Sequence, residues 1–141
     1  MQFDKIKNAR HGLMALAFVS GLSIADARSA EIIHNPVAEF AGIDKITGRI
    51  ISFDVYINET VQFGALQVTP RICDSRPESE TPKTTSFVEV DEITLDRKIR
   101  RIFTGWMFAD SPGLNAVEHA VYDVWLKSCK QETDVPAPAK G

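Results

Sequence analysis

The run Arg49-Ile50-Ile51-Ser52-Phe53-Asp54-Val55-Tyr56-Ile57-Asn58 alternates along its whole length. Arg49, Ile51, Phe53, Val55 and Ile57 fall on one side, and Ile50, Ser52, Asp54, Tyr56 and Asn58 on the other. A period of two with one apolar and one largely polar face is the pattern of a half-buried β-strand. Asn58-Glu59-Thr60 then supplies turn chemistry, and Val61 to Cys73 is again rich in β-formers. Parity switches inside that second run: Val61 and Phe63 share one face, whereas Leu66, Val68 and Ile72 share the other. The extra residue near Gly64-Ala65 therefore predicts a bulge or tight bend. Pro70 places the stretch at a sheet edge or breaks it there.

Further along, Asp74 to Ser86 holds two prolines and no large apolar residue, which reads as a long exposed loop. Phe87 to Leu95 and Ile99 to Phe108 form a hairpin around Asp96-Arg97-Lys98, and Ser111-Pro112-Gly113 ends its second arm. The segment Leu114 to Cys129 is ambiguous. Leu114, Val117, Val121 and Val124 fit helical spacing, but Val121 to Leu126 is dense in β-formers. The reading is a short helical turn over residues 115–119 followed by a strand from Val121 to Ser128. The fold class that results is all-β: a small antiparallel sandwich or barrel of about six strands.

Outward from this domain, set at residues 44–130, residues 28–43 read as a polar lead-in with a bend at His34-Asn35-Pro36. Residues 131–141, which end in Val135-Pro136-Ala137-Pro138-Ala139, read as a disordered tail. Residues 1–27 read as a cleaved signal peptide: Lys5, Lys7 and Arg10 precede an apolar run over 12–24 that is short for a bilayer span. Ala25-Asp26-Ala27 offers small residues for cleavage after Ala27, and Ser23-Ile24-Ala25 offers a second site. The other reading of this segment is an uncleaved anchor. No cysteine follows the apolar run, which argues against a lipid-anchored form. The chain is 44% hydrophobic, 25% charged and carries a net charge of -3. That acidic balance argues against nucleic acid as a partner. No second apolar span follows, so the mature chain is expected not to span a membrane.

Cys73 and Cys129 both fall in the part expected to be exported, and an exported chain with two cysteines is best read as carrying one disulfide between them. A redox-active pair is the alternative, but no Cys-x-x-Cys is present. Glu118, His119 and Asp123 make a compact His-carboxylate cluster, in which the i, i+4 pair His119 and Asp123 could ligate a metal if helical, but zinc wants three or four ligands and the other histidine of the mature part, His34, lies in the lead-in; no metal or cofactor is expected. Ser111, His119 and Asp123 could compose a nucleophile-base trio, but no Gly-x-Ser-x-Gly elbow accompanies them. Arg97, Lys98, Arg100 and Arg101 form the one basic cluster, either a charged hairpin tip or a contact for an anionic partner. Trp106, Met107, Phe108, Tyr122 and Trp125 gather aromatic and apolar surface near the Ser111-Pro112-Gly113 turn, as core or as an exposed platform.

The stretch Gly105-Trp106-Met107-Phe108-Ala109-Asp110-Ser111-Pro112-Gly113-Leu114-Asn115-Ala116, with Glu118-His119, Val121 to Leu126 and Cys129, resembles the alphaproteobacterial family known as domain of unknown function 2155. Val37 to Phe40, Asp44 to Arg49 and Phe63 to Leu66 resemble it too, so the likeness covers about residues 37–129. The resemblance implies an exported protein of a Gram-negative bacterium, hence a periplasmic one. It implies no activity and assigns no catalytic or binding residue. Members of that family often carry Pro where this chain has Ala120, and a Pro there disfavours a helix through that point.

The functional expectation is a non-catalytic periplasmic interaction module that supports the cell envelope or the assembly of an envelope complex, with an envelope protein as partner. Its contact surface would be Trp106, Met107, Phe108, Ser111, Pro112, Gly113 and Leu114, joined by Arg97, Arg100 and Arg101. The alternative is a small-ligand or glycan-binding domain that stacks its ligand on Trp106, Phe108 or Trp125. A hydrolase acting through Ser111 and His119 is the third reading.

Overall fold

A computed structural model describes residues 31–77 and 83–139. The segment read as a signal peptide lies outside the described residues, as do 78–82 of the expected long loop. Nine strands and no helix are present among the described residues: β1 (Ile33–His34), β2 (Val37–Asp44), β3 (Arg49–Tyr56), β4 (Val61–Phe63), β5 (Leu66–Ser75), β6 (Thr85–Ile93), β7 (Ile99–Phe108), β8 (Val117–Glu118) and β9 (Tyr122–Lys130). All pairings are antiparallel. They build two sheets, one ordered β1-β5-β6-β7 with β4 also on β5, the other β3-β2-β9-β8. The expected antiparallel all-β fold is therefore present as two facing sheets.

The alternating stretch forms β3, with Val55 buried and Ile51, Phe53 and Ile57 packed against the core. The parity switch at Gly64-Ala65 is a tight bend: Phe63 and Leu66 are register partners, and Gly64 takes a positive φ of 56°. A Cβ at Gly64 would lie 2.3 Å from the Tyr122 ring, so both backbone sign and space call for glycine. Pro70 does not break the strand: β5 runs through it from Leu66 to Ser75 with Pro70 opposite Val88, and the missing N–H is met by a slip of the β5–β6 register between Pro70 and Ile72. The β6–β7 hairpin turns at residues 94–98 with Arg97 at φ 64°.

Four boundaries differ from the sequence reading. Residues 37–43, placed in the lead-in, form most of β2, the strand that holds the second sheet together between β3 and β9. Val37, Ala38, Phe40 and Ala41 are buried, and this two-sided cover removes the alternation that marks a surface strand. Gly42 lies under Phe63, whose ring leaves only 2.7 Å for a Cβ. The helical turn over 115–119 is absent. A turn closed by Leu114 N–H to Ser111 O at 3.0 Å leads to β8, where Val117 and Glu118 pair with Val124 and Asp123. The apolar spacing that suggested a helix belongs to a turn (Leu114), two paired strands (Val117 and Val124) and the bend between them (Val121).

The segment Asp74 to Ser86 is strand at both ends, because β5 runs to Ser75 and β6 starts at Thr85. The tail is tied down as far as Val135: its carbonyl accepts from Tyr56 Oη at 2.6 Å, and Thr133 Oγ1 donates to Asp54 at 2.6 Å.

Between the sheets lie Phe40, Val55, Leu66, Val68, Val88, Val90, Met107, Val124 and Leu126, all at most 1% exposed. Phe40, Phe53 and Phe63 stack in succession with ring centroids 5.9 and 5.7 Å apart, and Tyr122 meets Phe63 edge to face at 5.5 Å. Cys73 on β5 and Cys129 on β9 are disulfide-bonded, Cα–Cα 5.7 Å, so the bond joins one sheet to the other.

Candidate functional site

Two surfaces stand out from this scaffold. On the outer face of the first sheet, register places Ile72, Phe87 and Trp106 opposite one another across β5, β6 and β7. Residues opposite one another in a sheet point to the same side, so the three form an apolar row across the sheet. The Phe87 and Trp106 rings meet edge to face at 5.4 Å. Ile72 is 40% exposed and Trp106 39%, values that a core residue does not show.

An ionic ladder borders the row. Arg71 donates to Glu89 at 3.1 and 3.2 Å, Arg101 Nε donates to Asp91 at 2.7 Å, and Arg101 also lies 3.5 Å from Glu89. The hydrogen bond to Asp91 holds the Arg101 guanidinium above its ordinary pKa. Arg100 pairs with Glu92 at 2.7 Å, while Arg97 and Lys98 sit in the hairpin turn rather than on a strand. The basic cluster read from the sequence is thus partitioned. Two of its arginines are neutralised across the hairpin and the other two cations cap its tip.

The residues expected at a contact surface separate in the same way. Trp106 lies outward, Met107 is core at 1% exposure, and Phe108 is half-buried at the end of β7. Ser111 is half-buried, and Pro112, Gly113 and Leu114 form an exposed turn. Asn115 Nδ2 donates to Trp106 O at 2.7 Å and fastens that turn to the β7 edge. Trp125 lies opposite Ala41 on the outer face of the other sheet, half-buried and away from Trp106. The aromatic cluster of the sequence is therefore divided among the two outer faces and the core. Ile72 and Phe87, which complete the row with Trp106, carried no signal along the chain because only the three-strand register brings them together.

At one end of the sandwich, the turns at 44–49, 64–65 and 94–98 and the β8–β9 connection enclose a pocket of about 730 Å³. Ile46, Ala65, Ile93, Leu95, Ala120, Val121 and Tyr122 give it mostly apolar walls. His119 Nδ1 accepts from Val121 N–H at 3.0 Å and Tyr122 N–H at 3.4 Å, which puts the ring proton on Nε2. Nε2 donates to Glu92 Oε1 at 2.8 Å, and Arg100 donates to the other Glu92 oxygen at 2.7 Å. These bonds from His119 and then Arg100 hold the Glu92 carboxyl below its ordinary pKa.

Asp123 does not meet His119 as the nucleophile-base trio requires. Its Oδ1 lies 2.8 Å from Lys45 Nζ, and that ammonium also donates to His119 O at 2.7 Å. Both imidazole nitrogens being engaged, His119 acts as a strut between β6 and the β8–β9 connection. Among the described residues, no three or more His, Cys, Asp and Glu side chains are grouped to hold a metal ion. Among them, too, no helix is long and apolar enough to cross a membrane.

Comparison with known proteins gives a family and a relative. A family described as "Uncharacterized protein conserved in bacteria (DUF2155)" matches residues 38–129, the span from β2 to β9. An uncharacterized protein of Rickettsia prowazekii (strain Madrid E) is 23% identical over 101 residues, 72% of this chain. The aligned part spans 65% of that relative's length. No solved structure matches the chain. The match over residues 38–129, both cysteines included, places this chain in the DUF2155 family of proteins conserved in bacteria.

Proposed function

We propose that the protein is an exported, periplasmic interaction module without catalytic chemistry of its own, and that it binds an envelope protein through the outer face of the β5-β6-β7 sheet. The observation that carries this reading is the row Ile72, Phe87 and Trp106. Three large apolar side chains lie side by side on a sheet face that also holds Thr69, Thr104 and the Arg71, Glu89, Asp91 and Arg101 charges, and two of the three are about 40% exposed. A central aromatic anchor framed by arginine-carboxylate pairs is the composition of a protein contact, because water is excluded around the anchor while the rim stays wet. Export is supported by the basic, apolar and small-residue order of residues 1–27. The inter-sheet disulfide supports it too, since such a bond persists in an oxidising compartment.

The test is in-cell crosslinking of a tagged chain followed by identification of what co-purifies from the envelope. The reading expects one reproducible protein partner that is lost in Trp106→Ala and retained in Lys127→Ala on the opposite sheet. A partner retained equally by both variants, or recovery of the bare chain alone, overturns it. A second reading, glycan stacking on the exposed Trp106 ring, is favoured by the same indole. It predicts quenching or enhancement of tryptophan fluorescence by soluble cell-wall glycan fragments, and an unchanged spectrum removes it.

A further inference from the structure

We infer that the loop end of the sandwich docks on an anionic phospholipid bilayer, with Ile46 and Leu95 entering the headgroup region and Arg49, Arg97 and Lys98 facing the phosphates. The two apolar residues occupy the tips of separate hairpins, β2–β3 and β6–β7, yet line one pocket, so the tips stand side by side. Ile46 is 78% exposed and Leu95 is fully exposed. Neither side chain is needed for its turn. The first turn is built by Asp44, whose Oδ1 accepts from Ile46 N–H and Thr47 N–H and whose carbonyl accepts from Gly48 N–H. The second is built by Thr94, whose hydroxyl bonds Asp96 and accepts from Lys98 N–H, while Thr94 N–H donates to Lys98 O. A branched aliphatic side chain held at the tip of a polar turn costs solubility and gives the fold nothing.

Exposed cations flank both apolar tips. Residues 44–49 and 94–98 hold four cations (Lys45, Arg49, Arg97, Lys98) and two carboxylates (Asp44, Asp96); Lys45 is taken up by Asp123 and the His119 carbonyl, and Arg49, Arg97 and Lys98 are exposed around the two tips. Both carboxylates are engaged in their own turns, whereas Lys98 and its partner Asp96 are 81% and 63% exposed. Apolar tips flanked by cations match an anionic bilayer, where the aliphatic groups leave water and basic residues meet lipid phosphate. Between the tips, Ala65, Ile93, Ala120 and Val121 continue the apolar surface inward. Glu92 and His119 have spent their hydrogen bonds on each other, on Arg100 and on backbone amides, so the pocket offers a polar solute little to recognise. Side chains that project past the body of the protein suit a broad surface better than a solute enclosed below them. This inference is independent of the face that carries Trp106.

Co-sedimentation of the full chain with phosphatidylglycerol–phosphatidylethanolamine vesicles, and with phosphatidylcholine vesicles, provides the test. Residues 12–24 are themselves apolar, so the readout is the ratio of partition coefficients between the unaltered chain and turn variants. Ile46→Ser with Leu95→Ser lowers partitioning about tenfold through lost apolar insertion. Arg97→Ser with Lys98→Ser lowers it about twenty-fold on the anionic vesicles alone, near fivefold per cation, and high salt removes that difference. Thermal unfolding of the variants at the unaltered temperature confirms that only the surface changed. Partitioning that ignores the Ile46 and Leu95 substitutions, or that is equal on phosphatidylcholine, overturns the inference. So does capture of a monomeric fatty acid probe without vesicle binding, which would make the pocket a site for a single lipid.

Discussion

Reduction of the Cys73–Cys129 bond is expected to remove about 4 kcal/mol of stability. The bond closes a loop of 56 residues, and the chain-entropy relation for that length gives about 14 cal/mol/K, hence about 4 kcal/mol at 25 °C. The crosslink also joins the two sheets, β5 on one side and β9 on the other, so nothing shorter substitutes for it in the unfolded chain. A domain of this size has a total stability of about 5–15 kcal/mol, so the reduced protein sits near the limit of folding. In urea, with a slope near 1.5 kcal/mol/M, the midpoint falls by about 3 M; on heating, the unfolding temperature falls by about 15–20 °C. The assay is paired urea unfolding of oxidised and fully reduced protein, followed by tryptophan fluorescence, with thiol titration to verify each state. A loss below about 1 kcal/mol would refute the reasoning and show that sheet packing alone holds the sandwich together.

Gly42→Ala places a methyl group 2.7 Å from the Phe63 ring, which must move within a stacked aromatic series; a loss of about 1–3 kcal/mol in urea unfolding is expected, and an unchanged midpoint would mean that the ring yields freely. Glu39 has a carboxyl pKa below its ordinary 4.5: partial burial acts to raise it, and bonds from Lys130, Ser128 and Lys127 outweigh that. A depressed carboxyl stabilises the folded state above the unfolded value, and the contribution is lost as pH falls through the folded one. Urea midpoints measured from pH 7 to pH 3 should therefore fall less steeply below 4.5 in Glu39→Gln, and parallel curves would contradict the assignment. Trp106→Ala, at a 39% exposed position whose ring contact is Phe87, should cost no more than about 1.5 kcal/mol in thermal unfolding. A collapse of the fold on this change would make Trp106 a core residue.

Much of the architecture was legible along the chain where one face of a strand meets water. β3, the β6–β7 hairpin and the tight bend at Gly64-Ala65 each left a period-two or turn signal, and two cysteines in one small domain pointed to their own pairing. β2 left none. It is covered on both sides and built partly from small residues, with Gly42 under Phe63 and Ala41 opposite Trp125, that do not advertise a strand. The helical spacing of Leu114, Val117, Val121 and Val124 was a coincidence of a turn, a bend and two paired strands, because Val117 and Val124 are register partners.

At the candidate sites, Trp106 could be found as an aromatic, but its neighbours Ile72 and Phe87 come from strands 34 and 19 positions upstream and are aligned only after the slip at Pro70. Glu92 as the partner of His119 was hidden for the same reason, the two being 27 positions apart in sequence. Ile46 and Leu95 did leave a trace: each is a branched aliphatic residue inside a turn made of Asp, Lys or Arg, and Thr.

The claim that a protein partner covers the outer face of the β5-β6-β7 sheet is tested most directly by a photoreactive amino acid placed at position 106 in the cell. The same group at position 127 reports the outer face of the other sheet. The account predicts a discrete protein adduct on illumination from position 106 and none from position 127. Adducts of equal yield at both positions, or none at position 106 while the chain is folded and exported, would contradict it.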